Sequence, residues 1–240
     1  MAKSKMICGD YLDALNELPE NSVDLILTDP PYGVTKNKWD VELDVHTMWE
    51  AFNRVLKNVG TAIIFAQDKF MVDVIKENEK KFKYTLIWYY TQPTGFLNVN
   101  KRPLRTHQEI LVFSCGGGMY NRVPYIKKSA YHAACKTAST NYGQIPVATK
   151  NSDGWRAPTT VLTFKAERGL HPTQKPVTLL RWLIESYSDS DAVVLDPFMG
   201  SGSTGIAAVQ TNRNFVGVEI LPKYFDTAKR RILEAGEEVV

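Results

Sequence analysis

Very little in this 240-residue chain could staple it or hold it in a bilayer. Its three cysteines, Cys8, Cys115 and Cys135, are odd in number and in no metal-ligand spacing, which argues against a disulfide framework or a zinc site. No run of ~18 uncharged apolar residues offers a membrane span, and Met1 to Ile7 lacks the long apolar core of a signal peptide. The expectation is a cytoplasmic protein with no metal. Acidic residues are scarce in the middle of the chain. Residues 91–175 hold 12 Lys or Arg against three acids, Glu109, Asp153 and Glu167, a net of +9, whereas the remainder carries 17 against 23, a net of −6. A basic middle between acidic flanks suits a surface that faces a polyanion.

What is present suits one sizeable α/β domain with an insertion. The composition, 44% apolar and 23% charged, is that of an ordinary globular protein, and the length is short for two independent cores. Apolar runs alternate with helical patterns, the signature of βα units around a mainly parallel sheet. Strands are expected at Lys5 to Cys8, Val23 to Thr28, Thr61 to Ala66, Ala192 to Leu195 and Phe215 to Val218. Helices are expected at Tyr11 to Leu18, from Val45 to Leu56, Lys69 to Asn78, after Pro176, Ser203 to Gln210 and Tyr224 to Leu233. Tyr84 to Tyr90 and Glu109 to Phe113 are β-rich with no strong helix between them, and read as an antiparallel edge. Regularity fades over residues 114–168, a long insertion of the kind that is usually functional or disordered.

Two short stretches concentrate the chemistry. Near the C-terminus, Leu195-Asp196-Pro197-Phe198-Met199-Gly200-Ser201-Gly202-Ser203-Thr204-Gly205 contains a G-x-G-x-x-G pattern between a strand and a helix. Read alone, this is a nicotinamide or flavin site, or a bland turn. Glu219, at the end of the next strand, is placed to accept both hydrogen bonds of a ribose diol. Asp196 is poorly placed for a pyrophosphate but well placed for the ammonium of an amino-acid tail. S-adenosylmethionine has that tail, a ribose and no phosphate, and fits the pair better than a dinucleotide does. Thr173 and Lys175, in His171-Pro172-Thr173-Gln174-Lys175-Pro176, are candidates for its carboxylate.

Near the N-terminus, Thr28-Asp29-Pro30-Pro31-Tyr32 follows an apolar strand, beyond whose carboxyl end open α/β sheets bind ligands. An amine on a flat heteroaromatic ring is a poor nucleophile because its lone pair is delocalised. Two acceptors aligned with its N–H bonds, the Asp29 carboxylate and the Pro30 carbonyl, favour the tetrahedral shift that frees the lone pair. Pro30 and Pro31 fix φ and remove competing donors. Tyr32 offers a face for stacking a base removed from its duplex.

With these residues in this order, the chain resembles the permuted beta group of DNA amino-methyltransferases, in which the Asp-Pro-Pro-Tyr motif comes first and the cofactor loop last. The resemblance runs through Gly9-Asp10, Thr28 to Gly33, Val45 to Ala66, His107-Gln108-Glu109-Ile110, His171 to Pro176, Asp196 to Thr204 and Gly217-Val218-Glu219. It implies a Rossmann-like methyltransferase fold: a single domain over residues 1–240, a mostly parallel seven-stranded sheet with an antiparallel edge strand, and circularly permuted motif order. It implies direct methyl transfer from S-adenosylmethionine to an amino nitrogen, with Asp29, Pro30, Pro31 and Tyr32 catalytic. The cofactor residues it implies are Asp10, Tyr11, Asp29, Thr173, Lys175, Asp196, Phe198, Gly200, Ser201, Gly202, Ser203, Thr204, Glu219 and Ile220.

By the same resemblance, residues 114–168 are the target-recognition region, and the loop from Lys36 through Lys38 to Trp39 approaches duplex DNA. Lys101, Arg102, Arg105, Arg122, Lys127 and Lys128 are the further DNA-binding candidates. Asp29 favours adenine N6 over cytosine N4, since the cytosine enzymes of the group usually carry Ser there. A protein glutamine methyltransferase also presents an amide to a Pro-Pro-Tyr motif, but with the motifs in the opposite order, and a catalytically inactive DNA-binding relative would not need Asp29, Asp196 and Glu219 intact. The small recognition region leaves a homodimer open, and a cognate restriction endonuclease is a further partner of a bacterial or phage-encoded enzyme in this group.

Overall fold

The computed structural model describes residues 3–33, 42–129, 131–134, 148–151, 153–167 and 174–237. They form β1 (Ser4–Cys8), α1 (Tyr11–Asn16), β2 (Val23–Thr28), α2 (Val45–Val55), β3 (Leu56–Ala66), α3 (Asp68–Glu77), β4 (Phe82–Thr94), β5 (Arg105–Ser114), β6 (Tyr131–Ala134), β7 (Ala148–Asn151), β8 (Val161–Thr163), α4 (Val177–Tyr187), β9 (Val193–Asp196), α5 (Ser203–Gln210), β10 (Asn214–Glu219) and α6 (Pro222–Glu237). No helix among the described residues is long and apolar enough to cross a membrane.

The main sheet has the order β1-β10-β9-β2-β3-β5-β4-β8. Every neighbouring pair is parallel except those of β5, which runs against both β3 and β4. The mostly parallel sheet with an antiparallel side is as expected. It has an eighth strand because Val161–Thr163, inside the stretch without legible period, pairs with Ile87–Tyr89. Three residues are too few for an alternation to register in the sequence; pairing with β4, the burial of Leu162 and the Trp88 indole donating to the Phe164 carbonyl at 3.0 Å place them.

The central strands are apolar at successive positions because both faces of the sheet are covered. Ile26, Ile64, Leu111 and Phe113 pack with Leu15, Met48, Trp49 and Phe52 of α1 and α2, while the alternate residues Leu25, Leu27, Ile63 and Ile110 are also fully buried. On the C-terminal half, α5 packs between α4 and α6. Gly202 and Gly205 are required there by space. Gly202 sits at φ +82°, where a Cβ would lie 2.8 Å from that of Ala228; a Cβ on Gly205 would lie 2.4 Å from Ile232 and 2.7 Å from Phe215. Two glycines of the G-x-G-x-x-G pattern therefore serve a close approach of α5 to α6 and β10, as well as the turn.

β9 and β2 are adjacent, with Leu25 beside Val194 and Ile26 beside Leu195. Their carboxyl ends consequently deliver Asp196 and Asp29 to one edge of the sheet, although 167 positions separate them in sequence. Residues 122–159 form a second compact unit. Within it β6 and β7 make an antiparallel ribbon, and Lys127 bridges to Trp155, its ammonium 5.6 Å from the ring centroid.

Candidate active site

An open cleft of about 1060 Å³, adjoining solvent included, lies at the carboxyl ends of β1, β2, β3, β9 and β10. Its walls include Gly9, Asp10, Tyr11, Asp29, Pro31, Phe65, Gln174, Lys175, Asp196, Phe198, Gly200, Ser201, Ser203, Thr204, Glu219 and Ile220. Among the described residues, four carboxyl groups face it, from Asp10, Asp29, Asp196 and Glu219, against one ammonium, that of Lys175. That balance disfavours a pyrophosphate and favours a cationic ligand.

Each carboxylate is held differently. Asp10 caps α1, one oxygen accepting the Leu12 amide at 2.8 Å. Glu219 accepts the Gly200 amide at 3.0 Å and the Leu221 amide at 2.8 Å. The Ile220 amide is a third backbone donor to it, so one of its four lone-pair sites remains for a ribose hydroxyl. Burial raises its pKa. Asp196, 4% exposed, accepts from the Thr28 hydroxyl at 2.7 Å, the Phe198 amide at 3.1 Å and the Thr204 hydroxyl. No cation is among these donors, and burial pushes its carboxyl up to about 6.

Asp29 is surrounded by stronger partners. One oxygen takes the Tyr32 hydroxyl at 2.5 Å and the Gln108 amide at 3.4 Å, and Gln108 also donates to the Tyr32 oxygen at 2.8 Å. The other takes the ammonium of Lys175, which lies 5.0 Å over the Phe65 ring. Burial first, then the charge of Asp29, holds the Tyr32 phenol well above its usual pKa, so it stays a donor. The Tyr32 ring packs on Phe70 with centroids 4.8 Å apart; Tyr11 packs on Phe198 at the same separation.

Two buried acceptors, the Ser203 hydroxyl oxygen and the Gln174 carbonyl, have no hydrogen-bond partner among the described residues, and both residues line the cavity. A ligand in the cavity is one way in which such atoms complete their bonding. Together with a buried carboxylate that has no cation among the described residues and an acidic wall, they fit S-adenosylmethionine, whose ammonium and ribose hydroxyls supply the missing charge and donors.

The structure thus brings together most of the expected cofactor residues with Asp29, Pro31 and Tyr32. Gly202 acts through packing and does not line the cavity. Thr173, with Lys36, Lys38 and Trp39, lies outside the described residues, as does Cys135. Lys175, of the His171–Pro176 segment, pairs with Asp29 of the Asp-Pro-Pro-Tyr motif, a partnership that the sequence did not disclose. Among the DNA-binding candidates, Lys101, Arg102, Arg122, Lys127 and Lys128 are exposed. Arg105 is tied to both carboxylate oxygens of Asp68, at 2.8 and 2.6 Å, and is the least available of the set. No group of three potential metal ligands occurs among the described residues.

Gln108, Phe65, Phe70 and Gln174 were not singled out from the sequence as site residues. Gln108 alone left a signal: it is a polar residue in register with Ile110 and Val112 on a strand whose face is otherwise buried and apolar.

Comparison with known proteins agrees with this geometry. Residues 23–230 match the family model described as DNA methylase, for N6 and N4 methyltransferases. The DNA adenine methyltransferase YhdJ of Escherichia coli K12 is 31% identical over 248 residues, covering 95% of this chain and 82% of that one. Among solved structures, the M1.HpyAVI–SAM complex superposes with TM-score 0.65 at 23% identity, over 95% of this chain and 99% of the other. The PvuII cytosine-N4-specific DNA methyltransferase superposes with TM-score 0.71 at 18% identity, over 100% and 93%. With Asp29, Asp196 and Glu219 on the wall of one acidic cavity, and with the match spanning most of the chain, the protein belongs to the N6/N4 DNA methylase family.

Proposed function

We propose that this DNA amino-methyltransferase modifies N6 of an adenine turned out of duplex DNA, with N4 of cytosine as the alternative target. One observation supports the reading above the others: Asp29 stands on the wall of the same cavity as Asp196 and Glu219. S-adenosylmethionine, when bound, supplies an electrophilic methyl group on a sulfonium. Asp196 and Glu219 orient the cofactor by its ammonium and ribose, and Ser203 and Gln174 are further contacts. Asp29, fixed by Tyr32, Gln108 and Lys175, accepts a hydrogen bond from the target amine beside the Pro30 carbonyl. These acceptors draw the amine toward tetrahedral geometry and stabilise the positive charge that grows on nitrogen as the methyl arrives. Tyr32, braced by Phe70, gives the base a stacking surface.

Residues 114–168 are proposed as the target-recognition region; the compact unit at 122–159, carrying Arg122, Lys127 and Lys128, supports that reading. Its small size supports a homodimer as the DNA-reading form, and a methyl group placed in a groove would block base contacts of a cognate endonuclease. The work is proposed to take place in a bacterial cytoplasm. The test is tritium transfer from labelled S-adenosylmethionine into unmethylated duplex DNA, followed by sequencing of the modified bases. N6-methyladenine in one short sequence is expected. Cofactor binding without label in any duplex refutes the proposal, and N4-methylcytosine selects the alternative.

A further inference from the structure

Residues 95–104, which join β4 to β5, expose apolar side chains that contribute nothing to the core. Phe96 is 74% exposed, Leu97 82%, Val99 56% and Leu104 40%. The segment is nonetheless ordered by successive backbone bonds, from the Asn98 amide to Gly95 at 2.9 Å and from the Lys101 and Arg102 amides to Asn98 at 2.8 and 3.0 Å. Its base is fastened: the Thr94 hydroxyl donates to the Arg105 carbonyl at 3.4 Å, the Tyr90 hydroxyl to the His107 carbonyl at 3.2 Å, and Arg105 is clamped by Asp68. A soluble surface has no use for four such side chains on a fixed turn unless something covers them.

Charge and position identify what does. Residues 80–108 contain no Asp or Glu, and Lys101 and Arg102 stand exposed within the same tip. A polyanion is the complementary partner. Because β5 runs against β3, its start lies at the carboxyl edge of the sheet, and Gln108 there touches Asp29. From Gln108 back to Leu104 is four residues, roughly 14 Å at ~3.4 Å per residue, comparable with the ~12 Å width of a DNA major groove. The tip therefore projects from the catalytic carboxylate by about the distance at which the duplex must lie when one base is in the site.

We infer that the β4–β5 tip is a wedge: Phe96 and Leu97 enter the base stack where the target nucleotide has left it, and Lys101 and Arg102 hold the flanking phosphates. Apolar side chains inserted between base steps are an established means of offsetting the cost of unstacking. The inference rests on the DNA-methyltransferase reading and assigns the extrusion step to residues outside the motifs.

The test uses oligonucleotide duplexes built on the modified sequence, with the target base either paired or opposite an abasic position. The double variant Phe96→Ala/Leu97→Ala is expected to lose about tenfold or more in kcat/KM on the paired duplex, and under about threefold where extrusion is already easy. Its S-adenosylmethionine affinity should be unchanged, which shows that the fold is kept. Replacing Lys101 and Arg102 with Gln should lower the slope of log affinity against log salt by about 2. Equal losses on both duplexes, or none on either, overturn the wedge. So does a variant that sediments as a monomer where the parent is a dimer and loses activity in proportion, because the patch then covers a second copy. A parent protein that labels no duplex refutes the underlying reading instead, and is distinguished by having no activity to lose.

Discussion

Asp29 and Asp196 end adjacent parallel strands, each is followed by proline, and both face one cavity, yet they are held in opposite ways. Asp29 has a lysine on one oxygen and a tyrosine and a glutamine on the other. Asp196 is the more deeply buried and, among the described residues, has hydroxyls and an amide as donors and no cation. A carboxylate already neutralised and fixed is suited to accept a directional bond from a neutral amine. A buried carboxylate without a cation carries a desolvation cost that an incoming ammonium offsets. The same dipeptide at the same sheet edge thus serves two tasks, and the neighbouring strands decide which: β5 brings Gln108 to the first, and the end of β2 brings Thr28 to the second.

The contrast predicts separable losses. Asp29→Ala should lower kcat by about 10³-fold or more, the scale for removing a group that stabilises transition-state charge. Its S-adenosylmethionine Kd should stay within a few-fold, measured by calorimetry. Near-normal turnover would place the amine contact elsewhere. Asp196→Asn should do the reverse, raising that Kd about 10- to 100-fold, as expected for a charged hydrogen bond worth ~1.5–3 kcal/mol, with a smaller change in turnover at saturating cofactor. An unchanged Kd would mean that the ammonium binds another group.

The carboxyl of Asp196 also sets a pH dependence. With its pKa raised from 3.8 to about 6 by burial, the free protein below about pH 6 holds a proton there that a cation must displace. Cofactor Kd should therefore be flat above pH 6 and rise about tenfold per unit below it, and Asp196→Asn should abolish that rise. The contribution to stability runs the other way: a folded pKa above the unfolded one gives stability that is full below about 3.8 and lost as pH climbs through about 6. A parent Kd that does not move between pH 7 and 5 would break the distinction between the two aspartates.

How much of this was legible follows from how each element makes its signal. Val23–Thr28 and Ser203–Gln210 were readable to the residue, because a buried strand and a helix opened by a glycine turn announce themselves locally. The pairing of Lys175 with Asp29 was not, since it joins residues 146 positions apart through the order of strands. β8 is only three residues, and its place depends on β4. Likewise the glycine loop was legible as a turn before a helix, whereas the reason for Gly205, the nearness of Ile232 and Phe215, exists only once α6 and β10 are packed.

Gln108 offers the finest test, because its expected effect is smallest and its mode of action most specific. It reaches the target through Asp29 and Tyr32, so it is a positioning residue, and Gln108→Ala should lower kcat about 3- to 10-fold while leaving KM for DNA and cofactor affinity nearly unchanged. A structural role alone would predict the same loss, so the second substitution matters. Gln108→Glu sets another carboxyl beside Asp29. Protonated, it can donate as the amide does; ionised, it repels Asp29 and pulls Tyr32 away. Turnover of this variant should consequently fall as pH rises, relative to the parent, with the two carboxyls titrating as a coupled pair. A variant whose pH profile parallels the parent's would show that Gln108 merely fills space, and that Lys175 and Tyr32 suffice to fix Asp29.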